Sequence, residues 1–128
     1  MKREELRLIK SIHEWLQKYR IKGYSLNEDL SIRVNGNVDI SFMNIAEFPS
    51  YIQFDIVVGY FDCSENKLTS LRGCPREVIG NFYCYNNQLD SIRYCPEEVA
   101  GKFFCQGNLR KFSEREITIE CDVTYINN

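Results

Sequence analysis

The sequence predicts a single α/β domain: a short solenoid of parallel strands closed by a helix at one end and a strand at the other. Three observations predict it. The middle of the chain repeats with a period of about 21 residues, the N-terminal segment carries apolar side chains at helical spacing, and a segment near the C-terminus alternates apolar and polar residues. We expect a helical N-terminal cap at residues 1–33, about four repeats at 34–112 and a C-terminal cap at 113–128.

The repeat becomes visible when the chain is shifted by one period, the spacing from Gly59 to Gly80. The coinciding sets are Gly59/Gly80/Gly101, Phe61/Phe82/Phe103, Cys63/Cys84/Cys105 and Asn66/Asn87/Asn108. We assign the units to residues 34–52, 56–78, 79–99 and 100–112, of which the first and last are degenerate. Degenerate outer units are expected when a solenoid must close its own ends.

Stacking of the units predicts the core. Side chains alternate across a strand, so Phe82 and Cys84 point inward while Tyr83 points outward. Parallel turns about 4.8 Å apart would align the phenylalanines in one buried column and the cysteines in a second. A third column is expected from Leu68, Leu89 and Leu109. Inward cysteines suit a core, although a stack of thiols could also bind a soft metal or form adventitious disulfides.

Both ends of the stack need a cap. The apolar residues of the N-terminal segment recur at helical spacing, and Gly23 is a stop signal, so we predict an amphipathic helix over residues 3–20 that covers the first repeat. The members of this stripe are Leu6, Ile9, Ile12, Trp15, Leu16 and Tyr19. Near the C-terminus, the alternation of Ile117, Ile119, Cys121 and Val123 predicts a capping strand.

The units at residues 58–68 and 79–89 resemble the leucine-rich repeat, L-x-x-L-x-L-x-x-N-x-L, with Phe and Cys replacing two leucines. The closer resemblance is to small proteins of bacteria and their phages with stacked G-x-F-x-C-x-x-N-x-L…C-P units. The resemblance implies a ladder of asparagine side chains that satisfies the backbone at each turn. It also implies protein binding through the strand face, and an inhibitor of a host defence protein, such as an anti-CRISPR-type counter-defence protein.

The outward strand positions form the predicted partner-binding site. Tyr83 and Phe104 should stack side by side, and grouped exposed aromatics are typical interface anchors. The carboxylates of Asp39 and Asp62 would suit a basic target surface. The predicted site residues are Asp39, Tyr60, Asp62, Tyr83, Tyr85, Lys102, Phe104 and Gln106. The alternative is that these aromatics only pack on each other or against a cap.

No catalytic motif is present in the sequence. It contains no Walker loop, G-x-S-x-G, H-E-x-x-H or dinucleotide fingerprint, and its one histidine, His13, has no partner motif. We therefore predict a non-enzymatic protein without catalytic residues, cofactor or metal. The N-terminus lacks the apolar core of a signal peptide and no apolar run reaches about 20 residues, which predicts a cytoplasmic location, in the host cell if the protein is phage-encoded.

The charge distribution also suggests a second function. Residues 1–22 hold seven basic and three acidic side chains, a net charge of +4 in a chain whose total is −2. A basic helix could contact phosphates, and exposed tyrosines can stack on bases. Nucleic-acid binding is therefore the alternative to protein binding.

Overall fold

Parallel strands stacked turn on turn form the body of the molecule, a β-solenoid of about four turns in a mixed α/β fold. The computed structural model describes residues 2–128. The elements are α1 (Arg3–Lys18), β1 (Tyr24–Leu26), β2 (Ile32–Val34), β3 (Val38–Asp39), β4 (Phe54–Val57), β5 (Phe61–Asp62), β6 (Glu77–Val78), β7 (Phe82–Tyr83), β8 (Glu98–Phe104), α2 (Glu114–Glu120) and β9 (Asp122–Asn127).

Each turn contributes two short strands, which form two parallel ribbons. The first ribbon contains β2, β4, β6 and the start of β8, and the second contains β3, β5, β7 and the end of β8. The repeat predicts the second ribbon, and the structure places Phe61, Phe82 and Phe103 in register there. The first ribbon is an addition to the prediction, as is β1, which pairs antiparallel with β2.

The bend between the ribbons lies at the repeated glycines. A Cβ atom on Gly80 would lie 2.8 Å from the carbonyl carbon and oxygen of Gly59 in the preceding turn. Backbone atoms cannot yield cheaply, so the turns can approach this closely only where no side chain is present.

An aromatic chain runs through the core from the N-terminal cap to the last full turn. Trp15 of α1 packs edge-on against Phe54 with ring centroids 6.3 Å apart, and Phe54 contacts Phe61 at 5.1 Å. The predicted column then continues from Phe61 to Phe82 at 5.9 Å and from Phe82 to Phe103 at 5.1 Å. All four phenylalanines are fully buried, so the cap and the repeats share one continuous core.

The asparagine ladder implied by the resemblance is present. Asn87 accepts a hydrogen bond from the Leu68 amide in the preceding turn at 3.0 Å, and its Nδ2 donates to the Cys63 carbonyl at 3.0 Å. Asn66 and Asn108 bond in the same way to the turns that precede them. Each side chain therefore satisfies backbone groups that the strands leave unpaired, as buried polar groups require.

Helix α1 confirms the N-terminal prediction and corrects its extent. Ile12, Trp15 and Leu16 are buried, whereas Leu6 at the other end of the apolar stripe is 54% exposed. Only the C-terminal half of the helix therefore covers the first turn. The helix ends before Gly23, because Arg20 already adopts a left-handed conformation with φ 58°.

The C-terminal cap differs from the prediction. Residues 114–120 form the helix α2, which Ser113 caps by accepting a hydrogen bond from the Glu116 amide at 3.1 Å. The strand predicted from the alternation begins only at Asp122, because Ile117 packs inward from a helix while Ile119 is 71% exposed. Strand β9 then adds a further rung parallel to β8.

Leu109 does not join the third apolar column. Leu68 and Leu89 are fully buried, but Leu109 is 67% exposed. The last unit lacks one residue after Asn108, which moves Leu109 to the position that exposed Gln88 occupies one turn earlier. The prediction for this residue was wrong because the deletion shifts the register by one.

Candidate binding face

The outward side chains of the second ribbon form one surface, which we call the outer face. The strand register places four predicted residues in one row across the turns: Asp39, Asp62, Tyr83 and Phe104. Tyr60 and Lys102 lie on one side of this row, each directly after the glycine of its turn, and Tyr85 and Gln106 lie on the other. The fold therefore brings the predicted site residues together on one face.

An aromatic cluster occupies the middle of the outer face. The rings of Tyr83 and Phe104 stack with centroids 4.8 Å apart and an interplanar angle of 8°. Tyr60 contacts Tyr83 edge-on at 6.1 Å, and Tyr85 does so at 6.3 Å. All four side chains are half-buried. They pack on each other and still present part of their surface to solvent, so packing and partner contact are compatible here.

Asparagine side chains fix the position of this cluster. Asn81 Nδ2 donates to the Tyr83 hydroxyl at 2.9 Å, while its Oδ1 accepts from the Lys102 amide at 2.8 Å. Asn37 Oδ1 accepts from the Tyr60 amide at 2.9 Å in the same manner. The Tyr83 ring is thus held through its hydroxyl, and the backbone at Tyr60 and Lys102 is tied to the preceding turns, which lowers the entropy lost when a partner binds.

The outer face is acidic at the end nearest the N-terminal cap. Asp39 and Asp62 are directly in register on β3 and β5. One oxygen of each carboxylate accepts hydrogen bonds from the serine two residues later, at 2.6 Å from Ser41 Oγ and 2.5 Å from Ser64 Oγ. Parallel carboxylates on neighbouring strands repel each other, so a cationic group from a partner would relieve this repulsion.

Three exposed residues beside the predicted site were missed. Phe42, directly after Ser41, is 74% exposed and left-handed with φ 55°, and Met43 is 43% exposed. The left-handed position recurs at Glu65, Asn86 and Gly107, where the turn leaves the strand. Tyr125 extends the face onto β9 in register with Lys102 and is 63% exposed. The repeat did not predict Tyr125, because the number of residues between Lys102 and Tyr125 is larger than the repeat period.

Six free, buried cysteines lie in the core behind this face. Burial raises the pKa of the Cys74 and Cys84 thiols. A hydrogen bond with Cys121, together with burial, raises the pKa of Cys95, and burial with the nearby Glu116 carboxylate raises the pKa of Cys105 to about 12. Among residues 2–128, no group of three His, Cys, Asp or Glu side chains is arranged to hold a metal ion. The burial of all six side chains agrees with the core-packing interpretation.

We expect the native protein to be inert toward Ellman's reagent at pH 8, because all six thiols are buried from the reagent, and the raised pKa of Cys74, Cys84, Cys95 and Cys105 suppresses the attacking thiolate at these four. Unfolding in guanidinium should release all six thiols. The raised pKa values also stabilise the folded state below the unfolded thiol pKa of about 8.5, and this contribution is lost as the pH rises through the folded values. Rapid modification of any thiol in the native chain would contradict this interpretation.

His13 belongs to the cap and not to the outer face. Its Nδ1 lies 2.8 Å from the Tyr24 hydroxyl, which ties α1 to β1.

No helix within residues 2–128 has the length and apolar character needed to cross a membrane.

Comparison of the chain with protein-family models, with curated proteins and with solved structures gives no match.

Proposed function

We propose that this protein is a non-catalytic binding module that captures a protein partner on its outer face. The observation that carries the proposal is the aromatic cluster of Tyr60, Tyr83, Tyr85 and Phe104, preorganised by hydrogen bonds and partly open to solvent. Rigid aromatic side chains dominate the energetics of protein interfaces because they bring large contact areas at low entropic cost. Phe42 and Met43, in the first turn, are two further exposed apolar side chains near the acidic end of the outer face.

The charge on the outer face favours a basic partner. Asp39 and Asp62 lie beside the aromatic cluster, where an arginine could pair with a carboxylate and stack on a ring in the same contact. The same carboxylates disfavour a nucleic-acid backbone, so we place protein binding ahead of nucleic-acid binding through basic α1.

We further propose that the turns are a compact form of the leucine-rich repeat. The asparagine ladder and the stacked Phe, Cys and Leu positions support this relationship. The resemblance to bacterial and phage proteins then suggests the class of partner, a bacterial defence protein that the module would inhibit by covering a basic site.

The test is capture of a partner from bacterial lysate, followed by titration calorimetry with the purified partner. Combined Tyr83→Ala and Phe104→Ala substitutions should weaken binding at least about 100-fold, since interface anchors of this type contribute about 2 kcal/mol or more each. Asp62→Asn should weaken binding less and reduce its dependence on salt.

Tyr94→Ala is the control, because Tyr94 is a solvent-accessible tyrosine, 54% exposed, in a return segment away from the outer face. It should bind as the unsubstituted protein does. Full retention of the partner by the double variant would disprove the proposed face. Tight, salt-sensitive binding of single-stranded DNA would favour the nucleic-acid alternative.

A further inference from the structure

Strand β9 leaves one edge of the sheet open. It pairs with β8 on one side, and no other strand among residues 2–128 pairs with its opposite side. The apolar residues Val123 and Ile126, which extend the columns of Val99 and Phe103, are only half-buried. By contrast, the helix α1 covers the other end of the solenoid with three fully or nearly fully buried side chains.

The edge of β9 lacks the usual protection against strand pairing. Natural edge strands are kept short or carry lysine, proline or a charge-rich sequence. The other open strands, β1 and β3, are three and two residues long, whereas β9 has six residues with no lysine or proline and a single charge, Asp122. Its sequence is rich in β-branched and aromatic residues, which favour strand pairing.

The backbone directions identify which groups the free edge presents. The Asp122 amide donates to the Glu97 carbonyl at 2.7 Å, and the Asn127 carbonyl accepts from the Cys105 amide at 2.9 Å, so both residues face β8. Adjacent residues direct their backbone groups to opposite edges. Val123 and Ile126 therefore present their amides and carbonyls to the free edge. Strict alternation would turn one of these two residues toward β8, and the irregularity in the β8–β9 pairing between them allows both to face away from it.

We propose that a second copy of this chain occupies this edge, with the two β9 strands antiparallel about a two-fold axis between Thr124 and Tyr125. The axis places Val123 of one copy opposite Ile126 of the other, and these residues would exchange both backbone hydrogen bonds. Exposure along β9 has the same symmetry: exposed, half-buried, exposed, exposed, half-buried, exposed. The half-buried side chains of the two copies therefore meet on the inner side of the joined sheet.

The charges also fit this arrangement. Asp122 falls opposite the neutral Asn127 of the other copy, so no like charges face each other across the axis. Asp122 ends a row of carboxylates in which Glu77, Glu98 and Asp122 are in register. Lys102 forms no ion pair within residues 2–128, and its ammonium lies 5.9 Å from the centroid of the Tyr125 ring one rung along, so no second lysine or arginine faces it across the axis.

Sedimentation of the full chain over a concentration series tests the proposal. The mass should rise from that of one chain to twice that value by about 500 µM, the range expected of a small interface. Val123→Pro removes an amide that faces the free edge and leaves the amides that face β8 intact, so it should weaken association at least about tenfold. Val123→Ala keeps the amide and is the matched control, which should still dimerise.

Hydrogen exchange of the unsubstituted protein gives a second readout that does not depend on the folding of a variant. The amides of Val123 and Ile126 should exchange more slowly at high than at low protein concentration. A single-chain mass at every concentration would overturn the proposal, as would species larger than a dimer, dimerisation of Val123→Pro equal to that of the unsubstituted chain, or concentration-independent exchange of both amides.

Discussion

Replacing Asn87 with alanine is expected to lower the free energy of unfolding by about 3 kcal/mol, because each buried group left without a partner costs about 1–3 kcal/mol. The substitution removes the acceptor of the Leu68 amide and the donor to the Cys63 carbonyl. Both groups lie in the preceding turn. The buried Leu68 amide is left without a partner, whereas the Cys63 carbonyl keeps a hydrogen bond from Asn66 Nδ2 at 3.1 Å. Bonds from Asn87 to the Cys84 and Tyr85 carbonyls of its own turn are lost as well.

Urea denaturation measures this change, and Gln88→Ala supplies the control. Gln88 follows Asn87 in the chain, but its side chain is exposed and forms no hydrogen bond of its own within residues 2–128. Its replacement should change the free energy of unfolding by no more than about 0.5 kcal/mol. Equal effects of the two substitutions would mean that the ladder does not stabilise the solenoid.

Replacing Phe82 with alanine is expected to cost about 3–5 kcal/mol, the usual range when a fully buried phenylalanine is truncated. Its ring lies between those of Phe61 and Phe103, with centroids 5.9 and 5.1 Å away. Neither neighbour can fill the space, since the backbone spacing of the ribbon fixes both strands. The cavity would therefore persist and interrupt the aromatic chain in its centre.

Thermal and urea denaturation of Phe82→Ala should be compared with those of Phe82→Leu and Ile79→Ala. Leucine retains most of the apolar volume and should lose less than about 2 kcal/mol. Ile79 is 44% exposed, three residues earlier in the same turn, and its truncation should have little effect. A loss below about 1 kcal/mol for Phe82→Ala would show that the column relaxes into the cavity.

The sequence predicts the repeated turns well because stacked turns place equivalent residues in contact. The constant offset between units aligned Phe61, Phe82 and Phe103, and the structure places them in register. The same reasoning located Tyr83 and Phe104 side by side on the outer face. Such predictions need only the period and the alternation of side chains across a strand.

The ends of the solenoid could not be predicted in the same way, because each end occurs once and has no second unit to confirm it. The spacing of Ile117 and Cys121 fits a strand and a helix equally well. The helix forms because the Ser113 side chain caps its N-terminus. Tyr125 was missed since the chain between β8 and β9 contains α2, which changes the offset. Phe42 was missed because strand alternation does not extend into a left-handed turn.

The unequal coverage of the two ends has a consequence for how the chain loses its structure. In a linear array each turn is held only by its neighbours, so opening starts at the terminus with the weaker nearest-neighbour coupling and spreads along the array. The Trp15 end is anchored by contacts between aromatic rings, whereas Val123 and Ile126 at the β9 end are only half-buried. Local unfolding should therefore begin at β9 and proceed turn by turn toward α1, and any molecule that pairs with β9 would slow this unfolding.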